Sequence, residues 1–475
     1  MATVLAIDLG TSRVKVGLLD ERLRLLGSAA ATYPTARDAT GAAEQRPEDW
    51  LGALARASRE ALASPGASPD AVVLTAQMPT LVALGADGEP LGPAVTWQDG
   101  RADGLVEDLG PTTRARVEEV SGAPLDGRYL VPMERRRLAD GQRAASRLLS
   151  AKDFLFMRLT GALVTDPSTA SGYGLYDLAR ETWSDELLAL WGVEPATLPE
   201  VAPSAHAEPL TPGGAELLGV GPAGLPVYLG GADSVCAHHF VETLFPGSVS
   251  VVDGSSSVVL ATLTGARPPR VLVSPLVGPG ALGAEMDLLA TGASLAWLAE
   301  TLGLGAGAIE EVALSHPDPA GLAVTFRPYL AGGEQGALWR SDLAGSIEGI
   351  SLTTTRADLA RALYEGIAFE TARCLLALAP FARVTRVVAL TSPKSRSLGP
   401  ALLAAASGLE VTAVGGHSPS LVGAGIVALG ALGAGPSDVV APTPSALPRL
   451  PDAAALAGRA ARYLATAPSP EGGAS

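Results

Sequence analysis

A chain of 475 residues, 47% hydrophobic and 17% charged, is long enough for two or three domains with full cores and too apolar to be disordered. Its net charge of -15 argues against nucleic acid as a main partner, and any bound polyanion needs its charge offset locally. Cys236 and Cys374 have neither zinc spacing nor the density of a disulfide scaffold. No basic segment followed by an apolar run opens the chain and no apolar stretch approaches bilayer length, so a soluble, cytoplasmic protein without membrane segments is expected.

Val4-Leu5-Ala6-Ile7 predicts a short buried strand and Asp8-Leu9-Gly10-Thr11-Ser12 a turn. Val14, Val16 and Leu18 then restore the period-2 alternation of a second strand. The pattern holds Asp8 at a strand end, beside amides and hydroxyls that can face an anion. A carboxylate able to hold a metal ion, next to groups able to hold phosphate oxygens, suits a nucleotide site; a hairpin with a polar turn is the plain alternative. Arg46-Pro47-Glu48-Asp49-Trp50 starts a helix with proline and acids in its first turn. Ala71-Val72-Val73-Leu74-Thr75 is a buried strand leading to Gln77-Met78-Pro79-Thr80, and Pro93-Ala94-Val95-Thr96 leads to Trp97-Gln98-Asp99-Gly100-Arg101. Both polar clusters lie just past strand ends, where α/β folds place ligand contacts, although ordinary strand-to-loop polarity explains either cluster as well.

Residues 104–150 read as helical, with Arg135-Arg136-Arg137 on a solvated face. Lys152-Asp153-Phe154 begins a helix that ends near Leu159-Thr160-Gly161. Thr165-Asp166-Pro167-Ser168-Thr169-Ala170-Ser171-Gly172 follows, and Ser184 with Asp185 and Glu186 starts a further helix. Residues 192–226, dense in proline and glycine, read as a linker. The G-x-G-x-x-G from Gly219 to Gly224 precedes a strand instead of following one, so it carries no dinucleotide site. The strand over 225–229 runs into Gly230-Gly231-Ala232-Asp233-Ser234, which is expected to leave Asp233 exposed at its tip. A carboxylate there can take the proton of a substrate hydroxyl attacking phosphorus, or it can simply cap the next helix.

Residues 248–262 repeat the opening pattern: apolar strand, Asp253-Gly254, the hydroxyl run Ser255-Ser256-Ser257, apolar strand. Two similar turns, one opening each half, point to an internal duplication with both turns facing one cleft, at a period far too long for a solenoid. A helix over 293–302 comes next. An amphipathic helix over 358–379 carries Leu359, Leu363, Ile367, Thr371, Leu375 and Leu378 along one stripe. A buried strand over 387–390 ends at Thr391-Ser392-Pro393-Lys394-Ser395-Arg396-Ser397. An edge strand over 410–414, a small-residue helix over 422–432 and a disordered tail after Ala467 complete the chain.

From Ile7 to about Leu432 these features resemble the FGGY carbohydrate kinase family, and within it xylulokinases most. The resemblance rests on Ile7-Asp8-Leu9-Gly10-Thr11-Ser12 with Lys15, on Gln77-Met78 and Trp97-Gln98-Asp99-Gly100-Arg101, and on the block from Lys152 to Ser171. It rests further on Gly230 to Ser234 and on Gly345-Ser346-Ile347-Glu348-Gly349-Ile350 followed by Asp358-Leu359, Ala362-Leu363-Tyr364 and Glu365. The resemblance implies an α/β fold of two actin-like ATPase (ribonuclease H-like) domains with an interdomain cleft. An N-terminal domain over 1–227 would carry the sugar side and the first phosphate turn. A C-terminal domain over 228–440 would carry the catalytic aspartate and the nucleotide side, with a helix and tail over 441–475.

The implied activity is ATP-dependent phosphorylation of a small sugar, a ketopentose such as D-xylulose, with Mg2+. The alternative is a family member that has lost catalysis and serves as a sugar-binding or regulatory protein. By resemblance, Asp233 is the base and Asp8 positions Mg2+, while Gln77, Met78, Trp97 and Asp99 join Asp233 in holding the sugar. Thr11, Ser12, Lys15, Gly254, Ser255, Ser256, Gly292 and Ser392 line the nucleotide side, and a homodimer is common in the family. Four places depart from the pattern, one of them around Arg135, where the family's Lys-aromatic signature is not recognisable. Ser392-Pro393-Lys394-Ser395 stands where a Gly-Gly-Gly-Ala run is usual, with Lys394 and Arg396 as candidate compensating phosphate contacts. Pro79 replaces a histidine, and Asp253 replaces an apolar residue.

Overall fold

The computed structural model describes residues 2–63, 68–221, 223–305, 307–331, 333–340, 342–392, 395–416, 418–435, 439 and 441–466. The chain divides into two compact units. One comprises Met1–Phe240 with Ser274–Leu282 and Ser418–Val440, the other Val241–Val273 with Gly283–His417 and Ala441–Ser475. Pro393, Lys394 and the predicted tail after Ala467 lie outside the described residues.

The first unit is built on a six-stranded sheet of β1 (Thr3–Leu9), β2 (Arg13–Asp20), β3 (Leu25–Thr32), β4 (Ala71–Ala76), β5 (Ala207–Pro209) and β6 (Pro226–Ala232), in the order β5-β6-β4-β1-β2-β3. β1 and β2 form an antiparallel hairpin with Ile7 opposite Val16 and Asp8 opposite Lys15, while β1, β4 and β6 run parallel. β1 is apolar on both faces because both are covered. Leu5, Ile7 and Leu9 point into a core with Trp50, Leu54 and Ala57 of the Pro47–Ala61 helix. By the strand's alternation Val4, Ala6 and Asp8 point the other way. There lies the Pro419–Ala431 helix, whose small residues let it pack close: Leu421 meets Gly17, and Gly425 sits against Leu19.

A side sheet of five short antiparallel strands (Ala36–Arg37, Ala43–Gln45, Ala94–Thr96, Thr80–Leu84, Arg147–Ser150) carries the two polar clusters read from the sequence. Two sequence expectations are corrected in this unit. The stretch 192–226 is no linker, because Leu210, Ala215, Leu218 and Leu198 are buried and the first three join the main core. Its prolines and glycines punctuate elements: Pro212 opens a helix capped by Thr211, and Gly219 closes it in the left-handed region. Arg137, expected on a solvated face, is buried and donates to Glu134 of the same helix.

The second unit repeats the first topology. Its sheet holds β7 (Val249–Asp253), β8 (Ser257–Thr262), β9 (Leu272–Pro275), β10 (Leu282–Leu288), β11 (Arg386–Thr391) and β12 (Glu410–Gly415), ordered β9-β10-β8-β7-β11-β12. The run β10-β8-β7-β11-β12 pairs antiparallel, antiparallel, parallel, parallel, as β3-β2-β1-β4-β6 does. The duplication read from two turns is thus a duplication of whole sheets, and each unit has the α/β architecture of the actin-like ATPase fold.

The Arg356–Leu378 helix begins in a capping box of Thr355 and Asp358. It is not amphipathic along one stripe as predicted: Leu375 and Leu378 face the sheet core, while Ala360, Leu363 and Phe369 face a second core with Leu456 and Tyr463. Its buried charges are paired, Arg361 with Glu365 and Asp452, and Glu365 with Arg459 of the Ala453–Thr466 helix. Among the described residues no helix is long and apolar enough to cross a membrane.

Candidate active site

In the first unit the site begins at the β1–β2 turn. Gly10 closes it by donating its N–H to the Arg13 carbonyl (3.1 Å), and Tyr33 donates its hydroxyl to the Gly10 carbonyl. Asp8 is only 2% exposed. Its Oδ2 accepts from Lys15 Nζ (3.0 Å), directly across the hairpin, and from Ser420 Oγ (2.8 Å) at the start of the Pro419–Ala431 helix. A buried carboxylate needs such partners, and the serine arrives from 412 residues away in sequence. Ser12 is exposed on the turn, while Thr11 is fixed at both ends of its polar surface. The Thr11 carbonyl accepts from Gln45 Nε2 (2.6 Å) and its hydroxyl accepts from Trp97 Nε1 (3.2 Å).

That contact ties the turn to the predicted sugar residues. Gln77 N donates to the Leu9 carbonyl (2.8 Å), and Gln77 Nε2 donates to Gln45 Oε1 (3.0 Å), which also accepts from Trp50 Nε1. Gln77 Oε1 is buried and, among the described residues, finds no donor. Met78 is half-buried, and its side chain leaves no room for a Cβ at Gly172. Asp99 is differently placed: its carboxylate accepts from Arg101 and from the Ala43 N–H (3.0 Å), and Arg101 also reaches Glu44. Asp99 therefore shapes the loop that presents Trp97.

Asp233 is the first residue of the Asp233–Leu244 helix, directly after β6. It is half-buried instead of exposed at a strand tip as predicted, and its Oδ1 accepts from the Ser234 N–H (2.9 Å). Burial, and then the like charge of Asp8, push its carboxyl up to about 7, against the pull of the Ser234 N–H and Lys15. A carboxyl whose midpoint lies there is what proton abstraction near neutral pH requires. Cys236, one turn into the helix, is buried, and desolvation pushes its thiol up to about 12, so it is inert.

The second turn is built on the same plan in the second unit. Gly254 N donates to the Ser256 carbonyl (2.8 Å), closing a turn on which Asp253, Gly254 and Ser255 are exposed. The Thr291 and Ala293 N–H groups donate to the Ser255 carbonyl. A Cβ on Gly292 would lie 2.1 Å from the Gly254 carbonyl oxygen, so only glycine lets the helix Gly292–Thr301 start there. Asp253 accepts from Ser257 Oγ (2.9 Å), and among the described residues no cation pairs with it. The surrounding protein pushes its carboxyl up to about 6. After β11, Ser392 is exposed and its carbonyl accepts from Ser395 N (3.0 Å). Arg396 pairs with Glu311 (3.6 Å), and Glu310 accepts from the N–H groups of Arg396 and Leu398. Neither Glu310 nor Ser420 is legible in the local sequence, because each acts on a segment far away along the chain through one side-chain group.

Among the described residues no three acidic, histidine or cysteine side chains gather into a metal cluster. The single carboxylate of Asp8 fits a hard cation that takes one or two carboxylates and completes its shell with water and phosphate oxygens, as Mg2+ does.

The models for the N-terminal and C-terminal domains of the FGGY family of carbohydrate kinases match residues 3–239 and 249–432. A glycerol kinase of Nocardia farcinica is 32% identical over 397 residues, covering 78% of this chain and 76% of the relative. A xylulose kinase of Lactococcus lactis is 29% identical over 388 residues, covering 78% and 75%. The crystal structure of a xyloylose kinase from Brucella ovis superposes with a TM-score of 0.85 at 25% identity, covering 98% of each chain. The chain belongs to the FGGY family of carbohydrate kinases.

Proposed function

We propose that this carbohydrate kinase transfers the terminal phosphoryl group of ATP to a hydroxyl of a small polyhydroxylated acceptor, with a ketopentose such as D-xylulose the best single candidate. The carrying observation is the carboxyl of Asp233, held up to about 7 beside the charge-paired Asp8. Phosphoryl transfer asks a protein for positioning and charge stabilisation more than for a nucleophile of its own. Asp233 accepts the proton of the attacking hydroxyl. Gln77, with its unpartnered Oε1, accepts from a second hydroxyl of the acceptor, and Met78 and Trp97 bound the pocket. Thr11, Ser12, Lys15, Gly254, Ser255 and Ser256 bind phosphate oxygens through amides, hydroxyls and one ammonium, with Gly292 and Ser392 alongside. Asp8 is the residue that would hold Mg2+, which when bound neutralises charge on the transferring phosphoryl group. A cytoplasmic location fits an ATP-consuming enzyme.

The test is Mg-ATP binding by titration calorimetry, without and with D-xylulose, followed by ADP release over D-xylulose, D-ribulose, gluconate and glycerol. We expect binding, release well above the rate in water for one acceptor, and kcat/KM that rises to a plateau as pH passes about 7, where Asp233 loses its proton. Asp233→Ala should lower kcat by about 10³-fold while acceptor binding survives. Folded protein that binds no Mg-ATP in either condition overturns the proposal in favour of a sugar-binding protein. D-xylulose inert where glycerol or gluconate works replaces the acceptor alone.

A further inference from the structure

The block from Lys152 to Ser171 supplies none of the groups that meet substrate in the proposed reaction, yet it holds one of the most deeply buried charge clusters in the first unit. Lys152 is 1% exposed and pairs with Asp153 (3.2 Å) and Asp166 (3.1 Å), themselves buried. Tyr173 donates its hydroxyl to Asp153 (2.7 Å). Asp166 accepts from the Ser168 N–H (2.9 Å), the Ser168 hydroxyl and the Thr169 hydroxyl (2.6 Å). A lysine buried this fully is retained only where its partners are fixed, so the cluster is a rigid mount.

The mount ends on the backbone beside Asp233. β6 loses its regular register against β4 between Tyr228 and Gly231, and Gly230 adopts φ 63 with its N–H turned to the Ser204 carbonyl (2.9 Å). A Cβ at Gly230 would lie 1.8 Å from the Leu74 carbonyl oxygen, and one at Gly231 would lie 3.0 Å from Ser168 Oγ. Past this irregularity the Ala232 N–H donates to Ser168 Oγ (2.9 Å). The Ser168 hydroxyl thus donates a hydrogen bond to Asp166 and accepts one from the N–H of the residue immediately before Asp233.

We propose that Ser168, held by the buried Lys152–Asp166 pair, is a positioning residue that fixes the 231–232 peptide, directly before Asp233, and so aims the Asp233 carboxylate at the acceptor hydroxyl. The inference rests on the kinase reading, with Asp233 as base. A base must lie within hydrogen-bond reach of the proton it takes, and displacements of about 1 Å cost up to about a hundredfold in rate. Ser168 touches no substrate, so its loss should appear in kcat and not in ligand affinity.

The experiment compares Ser168→Ala, Ser168→Thr and Asp233→Ala in the full chain with Mg-ATP and the acceptor found active. Ser168→Ala should lower kcat about tenfold with both KM values within about twofold of the parent, and Ser168→Thr, which keeps the hydroxyl, should restore most of it. Parental kcat in Ser168→Ala overturns the proposal, as does an equal loss in Ser168→Thr. Should Ser168→Ala not fold, Ser168→Cys, with its weaker and longer hydrogen bonds, carries the test: a fall in kcat alone supports the proposal and an unchanged kcat overturns it. Asp233→Ala separates the two levels of the argument. Turnover surviving there defeats the assignment of Asp233 as the base, whereas its loss beside a normal Ser168→Ala defeats only the positioning role.

Discussion

The two turns, Asp8 to Ser12 in one unit and Asp253 to Ser257 in the other, come from the same hairpin plan and treat their aspartates differently. Asp8 lies in strand pairing opposite Lys15, and Ser420 covers it from the neighbouring helix, so a fully buried carboxylate has a cation and a hydroxyl. Asp253 lies opposite Ser257 and accepts from its hydroxyl, among the described residues no cation pairs with it, and desolvation pushes its carboxyl up to about 6. The residue across the hairpin is lysine in one turn and serine in the other, so of the two only Asp8 gains an ion pair from it. The duplicated hairpin therefore repeats the backbone geometry of the turn, while its cross-strand neighbour decides whether the aspartate gains an ion pair.

The largest break in this comparison should come from Asp8→Asn, with kcat falling on the order of a hundredfold through loss of the carboxylate on the metal side. The same change removes a like charge from beside Asp233, so the midpoint of the pH–rate profile should move below about 7. A rate near the parent's, or a midpoint that stays in place, would show that the two carboxylates do not work as a pair. A smaller, opposite effect is expected from Asp253→Asn. Below about pH 6 the parent's Asp253 is protonated and the substitution should change little. Above that pH it removes a negative charge beside phosphates, worth about 1 kcal/mol in high dielectric, so the KM for ATP should fall several-fold at pH 8 and hardly at pH 5. An equal change at both pH values would sever Asp253 from the nucleotide.

The hairpins were legible in the sequence because alternation and turn chemistry are local. Val14, Val16 and Leu18 mark a strand by spacing alone, and Gly10 and Gly254 mark the turns. Helix starts were legible for the same reason: Ser184 accepts from the Leu187 N–H as its position suggests. What local pattern does not encode is what covers a group. Asp233 read as exposed because glycines precede it, yet those glycines let β6 press against β4 and Ser168, which half-buries it. Residues 192–226 read as a linker because Pro212 and Gly219 look alike in a flexible segment and at the two ends of a short buried helix. Arg137 read as solvated because Glu134 is a partner only once the helix has formed.

Ser420 sharpens the comparison with the smallest expected effect. The sequence marks it only as a polar residue after Pro419, at the start of a helix otherwise made of small apolar side chains. It donates to the same Asp8 oxygen that Lys15 approaches, so Asp8 Oδ2 is shared by two donors. Ser420→Ala leaves the ion pair and removes one hydrogen bond to a charged group, an interaction worth about 1.5–3 kcal/mol when fully buried. Lys15 remains to absorb part of that loss, and its side chain is 35% exposed, free to shift toward the vacated oxygen. The net result should be a two- to fivefold fall in kcat, an order of magnitude or more below the loss in Asp8→Asn. If Ser420→Ala costs as much as Asp8→Asn, the hydroxyl and not the lysine sets the geometry of Asp8, and the difference between the two turns lies in the covering helix instead of the hairpin.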